Sequence, residues 1–251
     1  METMLHNRSG FTLVELMITL VLSMVIIAAI YSAHLTQQRT QTAQDQVVEM
    51  QQNLRASLNL IVSELRMAGF DPSGSANVGI TGANQGWMQV TMDLNGDGDA
   101  GDSNEDVQFG FNDADDATDD GVADDGVASL GRNTGGGYQP IADNIVAIEF
   151  LYHLENGSKD PTTYSYTRNP TAAELDTIRA VTISLLSRAR NLDPNFTSNQ
   201  SALPASALTA SPAGNSGDNA SWNASGVSWN VASNFRRRLL IMTVKLRNLG
   251  L

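Results

Sequence analysis

Glu15 is the one charged residue in an apolar and weakly polar run that extends from Phe11 to Ala33. At about 1.5 Å per residue the run is long enough to cross the ~30 Å hydrocarbon core of a bilayer. An ionisable group at that depth is costly and marks a functional site by default. The chemistry open to it is ion pairing, because opposite charges attract strongly in low dielectric and an unpaired carboxylate there is penalised. A second oxygen-rich stretch, Asp93-Leu94-Asn95-Gly96-Asp97-Gly98-Asp99, places oxygen side chains at alternate positions. That spacing lets one turning backbone aim successive oxygens at a single point. It matches the first half of an EF-hand calcium loop, with Gly98 at the sharp turn. Asp93, Asn95, Asp97 and the Asp99 carbonyl are the expected Ca2+ ligands. The second half departs from the pattern: Asn104 stands where the bidentate glutamate belongs, and Glu105, a weaker expectation, comes one residue late.

No Lys or Arg occurs between Arg66 and Arg132, so these acids have no cation nearby in sequence. Asp119-Asp120-Gly121-Val122-Ala123-Asp124-Asp125-Gly126 repeats a five-residue unit and reads as a solvated acidic loop. Net charge is −12, which argues against a nucleic-acid partner, since phosphate neutralisation needs clustered Lys and Arg. Cysteine is absent, which excludes disulfides, zinc–thiolate sites and cysteine nucleophiles. The three histidines, His6, His34 and His153, fall in no catalytic motif, and no P-loop, G-x-S-x-G elbow or H-E-x-x-H helix occurs. The expectation is a protein that is not an enzyme.

The elements that carry these residues follow from periodicity. His34 to Ala68 contains neither Pro nor Gly, and Val47, Met50, Leu54, Leu58, Ile61 and Leu65 recur at steps of three or four on one helical face. Gly69 and Pro72 end the segment. One helix from Phe11 to about Ala68 is predicted, its first half in lipid and its second half across a sheet. Strands are predicted at 87–92, 107–111, 145–152, 178–186 and 239–246, with a helical turn at 171–175. An antiparallel sheet on a long helix is an α+β fold. Residues 191–234 have the Ser, Asn, Ala, Gly and Pro composition of a loop, with Trp222 and Trp229 suggesting a partly ordered one.

Ser9-Gly10-Phe11-Thr12-Leu13-Val14-Glu15-Leu16-Met17 resembles the N-terminal signature of type IV prepilins and of the pseudopilins of type II secretion. The resemblance implies cleavage by a prepilin peptidase between Gly10 and Phe11, followed by N-methylation of Phe11. It also implies that Glu15 pairs with the Phe11 amine of a neighbouring subunit. Arg8 fits the positive-inside rule for a leader left in the cytoplasm. Arg179 to Arg188, Arg236 to Leu249, Gln52 to Arg55 and Glu64 to Gly69 look like the corresponding segments of PilW-type minor pilins. Ser32 stands where many major pilins carry a helix-kinking proline.

These readings divide the chain into a leader at 1–10, a membrane half of the helix at 11–33 and an amphipathic half at 34–69. A type IV pilin-like globular domain then covers 70–251, with an acidic loop at 93–126 and the Ser/Asn-rich loop at 191–234. The resemblance implies a minor pilin that helps to prime a filament serving adhesion, motility or DNA uptake. Its partners would be other minor and major pilins, the prepilin peptidase and the inner-membrane assembly platform. Its location would be the inner membrane, single-pass with the globular domain outside the cytoplasm, and then the pilus. A J-type pseudopilin of type II secretion is the nearest alternative, and a membrane-anchored calcium-dependent adhesin the alternative of another class.

Overall fold

The computed structural model describes residues 10–157, 160, 163–194, 196–197, 202, 204–208 and 233–249. Most of the leader and most of the Ser/Asn-rich loop, including Trp222 and Trp229, lie outside the described residues. The chain divides into two compact units, Met1–Asp45 and Gln46–Leu251. The second unit begins within the amphipathic half of the helix.

Helix α1 spans Leu13–Leu65. In the first unit the apolar side chains from Phe11 to Tyr31 are exposed, and the helix is long and apolar enough to cross a membrane. Its hydroxyls bond back to the helix: Thr19 to the Leu16 carbonyl, Ser23 to Thr19, Ser32 to Ala29 and Thr36 to Ser32. Each such bond satisfies a donor that lipid could not.

In the second unit the predicted stripe is buried at Met50, Leu54, Leu58, Ile61 and Leu65, with Val47 half-buried. The helix end is closed by the far end of the described chain. Asn248 Nδ2 donates to the carbonyls of Arg66, Met67 and Ala68 at 3.3–3.4 Å, which occupies acceptors that a helix terminus leaves free. Gly69, at φ +76°, sits against Leu249, where a Cβ would come within 2.5 Å of that side chain.

Among the described residues eight antiparallel strands form one sheet: β1 Ile80–Ala83, β2 Met88–Thr91, β3 Asp106–Gly110, β4 Ala128–Asn133, β5 Tyr138–Leu154, β6 Ser165–Thr167, β7 Ile178–Arg188 and β8 Arg237–Lys245. Their order is β1-β2-β3-β4-β5-β7-β8, with β6 also paired to β5. The predicted strands are all present. β1, β4 and β6 are additional, and β5 begins seven residues before the predicted start. The helical turn expected at 171–175 is a 3-10 turn at Leu175–Thr177. A short helix, α2, spans Ala205–Leu208.

One face of the sheet supplies the main core. Val90, Phe109, Ile148, Phe150, Tyr152, Val181, Ile183 and Leu185 pack with Leu54, Leu58, Ile61 and Leu65 of α1. The other face holds a smaller cluster of Val122, Val146, Ala147 and Leu186. Strand β5 is paired along both edges: β7 takes one, while β4, residues 121–123, Gln85 and β6 share the other. It changes partner where Asn144 adopts φ +59° and the register shifts between Ile145 and Ala147.

Candidate functional site

Glu15 lies in the first turn of α1. The Thr12 backbone N–H and hydroxyl each donate to Glu15 Oε2 at 2.9 Å, and the Glu15 N–H donates to Thr12 Oγ1 at 3.2 Å. This is a capping box, in which a threonine and a glutamate three residues on satisfy each other's backbone donors. Thr12 thus has a part that the sequence reading did not assign, although the T-x-x-E spacing was visible. Among the described residues no basic side chain pairs with Glu15. Every other hydrogen-bonding side chain from Phe11 to Ala33, Tyr31 aside, bonds to its own helix backbone, so Glu15 carries the one charge still open to a partner. Gly10, beside the expected cleavage point, is exposed with open space where a Cβ would project.

The acidic stretch 93–126 is two loops separated by β3. In the first, Asp93 and Glu105 are buried while Asp97 is exposed. Asp93 Oδ1 accepts from Gly96 N–H at 2.6 Å and Oδ2 from Gly98 N–H at 3.1 Å. Glu105 closes the loop, with Oε1 accepting from the N–H groups of Leu94 and Asn95 and Oε2 from that of Asp102. It is therefore more inward than its late position in sequence suggests. Asp99 Oδ1 accepts from Gly101 N–H. Between the carboxylates of Asp97 and Asp102 lies the Asn95 side-chain amide, donating to both at 2.9 and 2.8 Å. Gly96 and Gly98 take φ of +79° and +93°, as the turn requires. Among the described residues no three His, Asp or Glu side chains are arranged to hold a metal ion.

The second loop is organised by Asp116, which sequence reasoning missed. Its carboxylate accepts from Gly121 N–H at 2.8 Å and Asp120 N–H at 3.1 Å, and burial pushes its pKa up. The loop then docks on β5: Ile148 N–H donates to the Gly121 carbonyl and Ala123 N–H to that of Val146. Asp119 and Asp120 are thereby fixed to the sheet at one end, and the loop is not simply solvated.

On the sheet face opposite α1, Glu149 is fully buried. Its carboxylate accepts from the N–H and hydroxyl of Ser206, and Ser184 Oγ accepts from Ala205 N–H at 3.0 Å. Two strands thus hold the start of α2. Burial raises the Glu149 pKa against the effect of these donors. Nearby, His153 Nε2 lies 2.7 Å from Thr182 Oγ1 and its ring meets the Tyr166 ring edge-on at 4.7 Å. These contacts make His153 a packed polar residue.

A long N-terminal helix whose second part is buried against an antiparallel sheet is the fold that the prepilin resemblance implied. Residues 107–248 match the family model of type IV pilus-assembly protein W, PilW. The chain belongs to the PilW family. Residues 5–31 match the prokaryotic N-terminal methylation motif. A type IV-like pilin from Thermus thermophilus is similar to this chain, at 17% identity and a TM-score of 0.40, over 79% of this chain and 97% of that one. No curated protein sequence matches. The expected PilW-type minor pilin stands on the two family models. The chain is pilin-like, with an N-terminal helix fitted to membrane anchoring and a family whose members work with other pilus components.

Proposed function

We propose that this PilW chain helps to prime assembly of a type IV filament, docking through Glu15 onto the Phe11 amine of an adjoining pilin. The observation that carries this reading is the position of Glu15: a carboxylate in the first turn of an apolar helix, met only by Thr12 among the described residues. An adjoining amine supplies the missing cation, and pairing in low dielectric then fixes the register of two helices. Cleavage after Gly10 by a prepilin peptidase creates that amine, and Phe11 carries it. The chain starts in the inner membrane with its folded unit outside the cytoplasm, engages minor and major pilins at the assembly platform, and ends in the pilus. It performs no catalysis.

The pilus reading is in keeping with the PilW match, and the pseudopilus of type II secretion is the alternative within the same architecture. Intact-mass measurement of membrane-extracted protein tests the processing step: loss of residues 1–10 plus one methyl group is expected. A chain that keeps Met1 would favour a calcium-dependent adhesin anchored by its helix.

We also propose that the loop from Asp93 to Glu105 takes a Ca2+ ion. Asp93, Asn95, Asp97 and Asp99 offer hard oxygen donors, and two buried carboxylates lie within the loop without a basic side chain bonded to them among the described residues. Backbone amides and the Asn95 amide bond to those oxygens.

A further inference from the structure

The two edges of the sheet are built differently. Strand β1 is four residues long, its register shifts after Ile80, and the 3-10 turn Leu175–Thr177 packs against it. A short, irregular and covered edge offers little to an incoming strand. Strand β8, at the other edge, has nine residues and pairs with β7 in nine consecutive steps without a bulge, from Ala180–Lys245 to Arg188–Arg237. Among the described residues no strand pairs with its outer side. Alternate N–H and C=O groups of an antiparallel edge strand point away from its neighbour, so β8 presents a regular row of donors and acceptors. Val244 is buried and Leu240 packs against the main core, which fixes the strand in place, whereas Arg238, Met242, Thr243 and Lys245 are exposed. Every residue of this surface lies in the second unit.

The charge on this edge selects what can pair with it. Residues 233–251 hold Arg236, Arg237, Arg238, Lys245 and Arg247 and no Asp or Glu, in a chain whose net charge is −12. Strand β7 beside them has no acid either. Arg236 is bonded to Asp193, but exposed Arg238, Lys245 and Arg247 form no ion pair among the described residues. A second copy fits this edge poorly: β8 laid antiparallel on β8 about Ile241 sets Arg237 opposite Lys245 at both ends, and like charges so placed repel. A strand bearing carboxylates meets the same positions favourably, and arginine can hold a carboxylate through two parallel bonds. We propose that the outer edge of β8 pairs with an extended acidic segment of an adjoining subunit. Main-chain bonds supply the pairing, and Arg238 and Lys245 supply the choice of partner. That the donor is a filament subunit rests on the assembly function proposed for the chain; the open edge and its charge do not.

The test uses the full chain in detergent with three labelled synthetic peptides of about nine residues, long enough to span one strand. One alternates Glu with Val, one alternates Lys with Val, and the third is the Glu peptide with a central proline, which cannot complete the ladder. The Glu peptide should bind saturably and slow amide exchange within residues 237–245, and the other two should bind at least about tenfold more weakly. R238E/K245E, altering exposed residues only, should reverse the preference between Glu and Lys peptides while melting with the parent. Should that variant misfold, R238Q/K245Q must bind the two peptides alike. Equal binding of the Glu and Lys peptides by the parent, or binding that leaves exchange in 237–245 unchanged, overturns the proposal. Protection of every β8 amide before peptide is added also overturns it. If that protection grows with protein concentration the edge belongs to a second copy, and if it does not the chain covers the edge itself. E15Q should bind the Glu peptide as the parent does; its failure to weaken co-purification with partner pilins strikes the assembly reading and leaves the edge standing.

Discussion

Thr12 and Glu15 satisfy one another at the start of α1, with two bonds of 2.9 Å to the carboxylate and one of 3.2 Å returned. The same carboxylate therefore serves as a local cap and as the charge proposed for docking, and the two roles separate by substitution. E15Q keeps a carbonyl acceptor for Thr12 but carries no charge. It should insert normally and co-purify with partner pilins several-fold less. T12A should loosen the first turn yet keep the charge, with a much smaller assembly loss. Quantitative pull-down from membrane extracts compares them, and equal losses would make the cap, not the charge, the important feature.

Glu64 and Arg132 join α1 to β4. Arg132 Nε donates to both Glu64 oxygens at 2.8 and 3.0 Å, and its terminal amine donates to Asn104 Oδ1 at 3.2 Å. Both side chains are largely buried, so removing one partner leaves the other charge poorly solvated. R132M should cost about 2–3 kcal/mol and E64Q about 1–2 kcal/mol in denaturant unfolding. A double-mutant cycle showing coupling near zero would mean that the bond contributes only geometry.

What could be read ahead of the structure was whatever is local. The α1 stripe follows from a 3.6-residue period, and Glu15 stands out because its neighbours are uniformly apolar. Glu149 gives the same signal, an acid between Ile148 and Phe150, but its partner Ser206 is 57 residues away and nothing local points to it. Glu64 falls off the apolar stripe of α1, and nothing near it in sequence points to Arg132, 68 positions on. Strand β4, Ala-Ser-Leu-Gly-Arg-Asn, has little β character of its own and is a strand because it pairs with β3 and β5. Gly131 is needed there because the Tyr138 ring covers it, leaving no room for a Cβ. The loop carboxylates were legible as a pattern, yet which of them turn inward depends on amide donors that only the folded backbone positions.

Gly121 should be among the least replaceable residues in the chain. At φ +80°, a Cβ would come within 2.1 Å of the Ile148 carbonyl oxygen, which is backbone and cannot swing aside. G121A therefore combines left-handed strain with displacement of the loop from β5, and a loss of about 2–4 kcal/mol is expected. G135A, at φ +87° with open space around it, controls for strain alone and should cost about 1 kcal/mol. Similar losses for the two would refute the docking of residues 121–123 as a stabilising contact.

His153 should make stability fall in mild acid. Burial pushes its pKa down from 6.5 to about 4. The unfolded chain thus binds a proton below pH 6.5 that the folded chain refuses until about pH 4. Stability from this residue is complete above pH 6.5 and is lost as pH drops through that window. The slope is at most about 1.4 kcal/mol per pH unit, reduced by the ring's partial exposure. Glu149, whose pKa is raised, acts in the opposite sense, losing stability as pH rises through its folded-state value. H153Q should therefore flatten or reverse the slope between pH 6.5 and 4 in thermal melts, and an unchanged slope would remove His153 from the account.

Calcium, if it enters the first acidic loop, must displace donors already in place. Asn95 has to withdraw its amide from Asp97 and Asp102, and Asp93 has to yield one of the bonds it accepts from Gly96 and Gly98. Those rearrangements oppose binding, so affinity in the weak range of extracellular sites, roughly 10⁻⁴–10⁻³ M, is expected. Titration calorimetry of the full chain in detergent with CaCl2 should show saturable heat in that range. D97N, which alters an exposed side chain, should reduce it several-fold without changing the melt in EDTA. D93N separates a ligand from a turn former, because it should lower stability even without metal. Absence of heat at millimolar calcium would leave the loop as a self-satisfied turn, its carboxylates serving backbone amides alone.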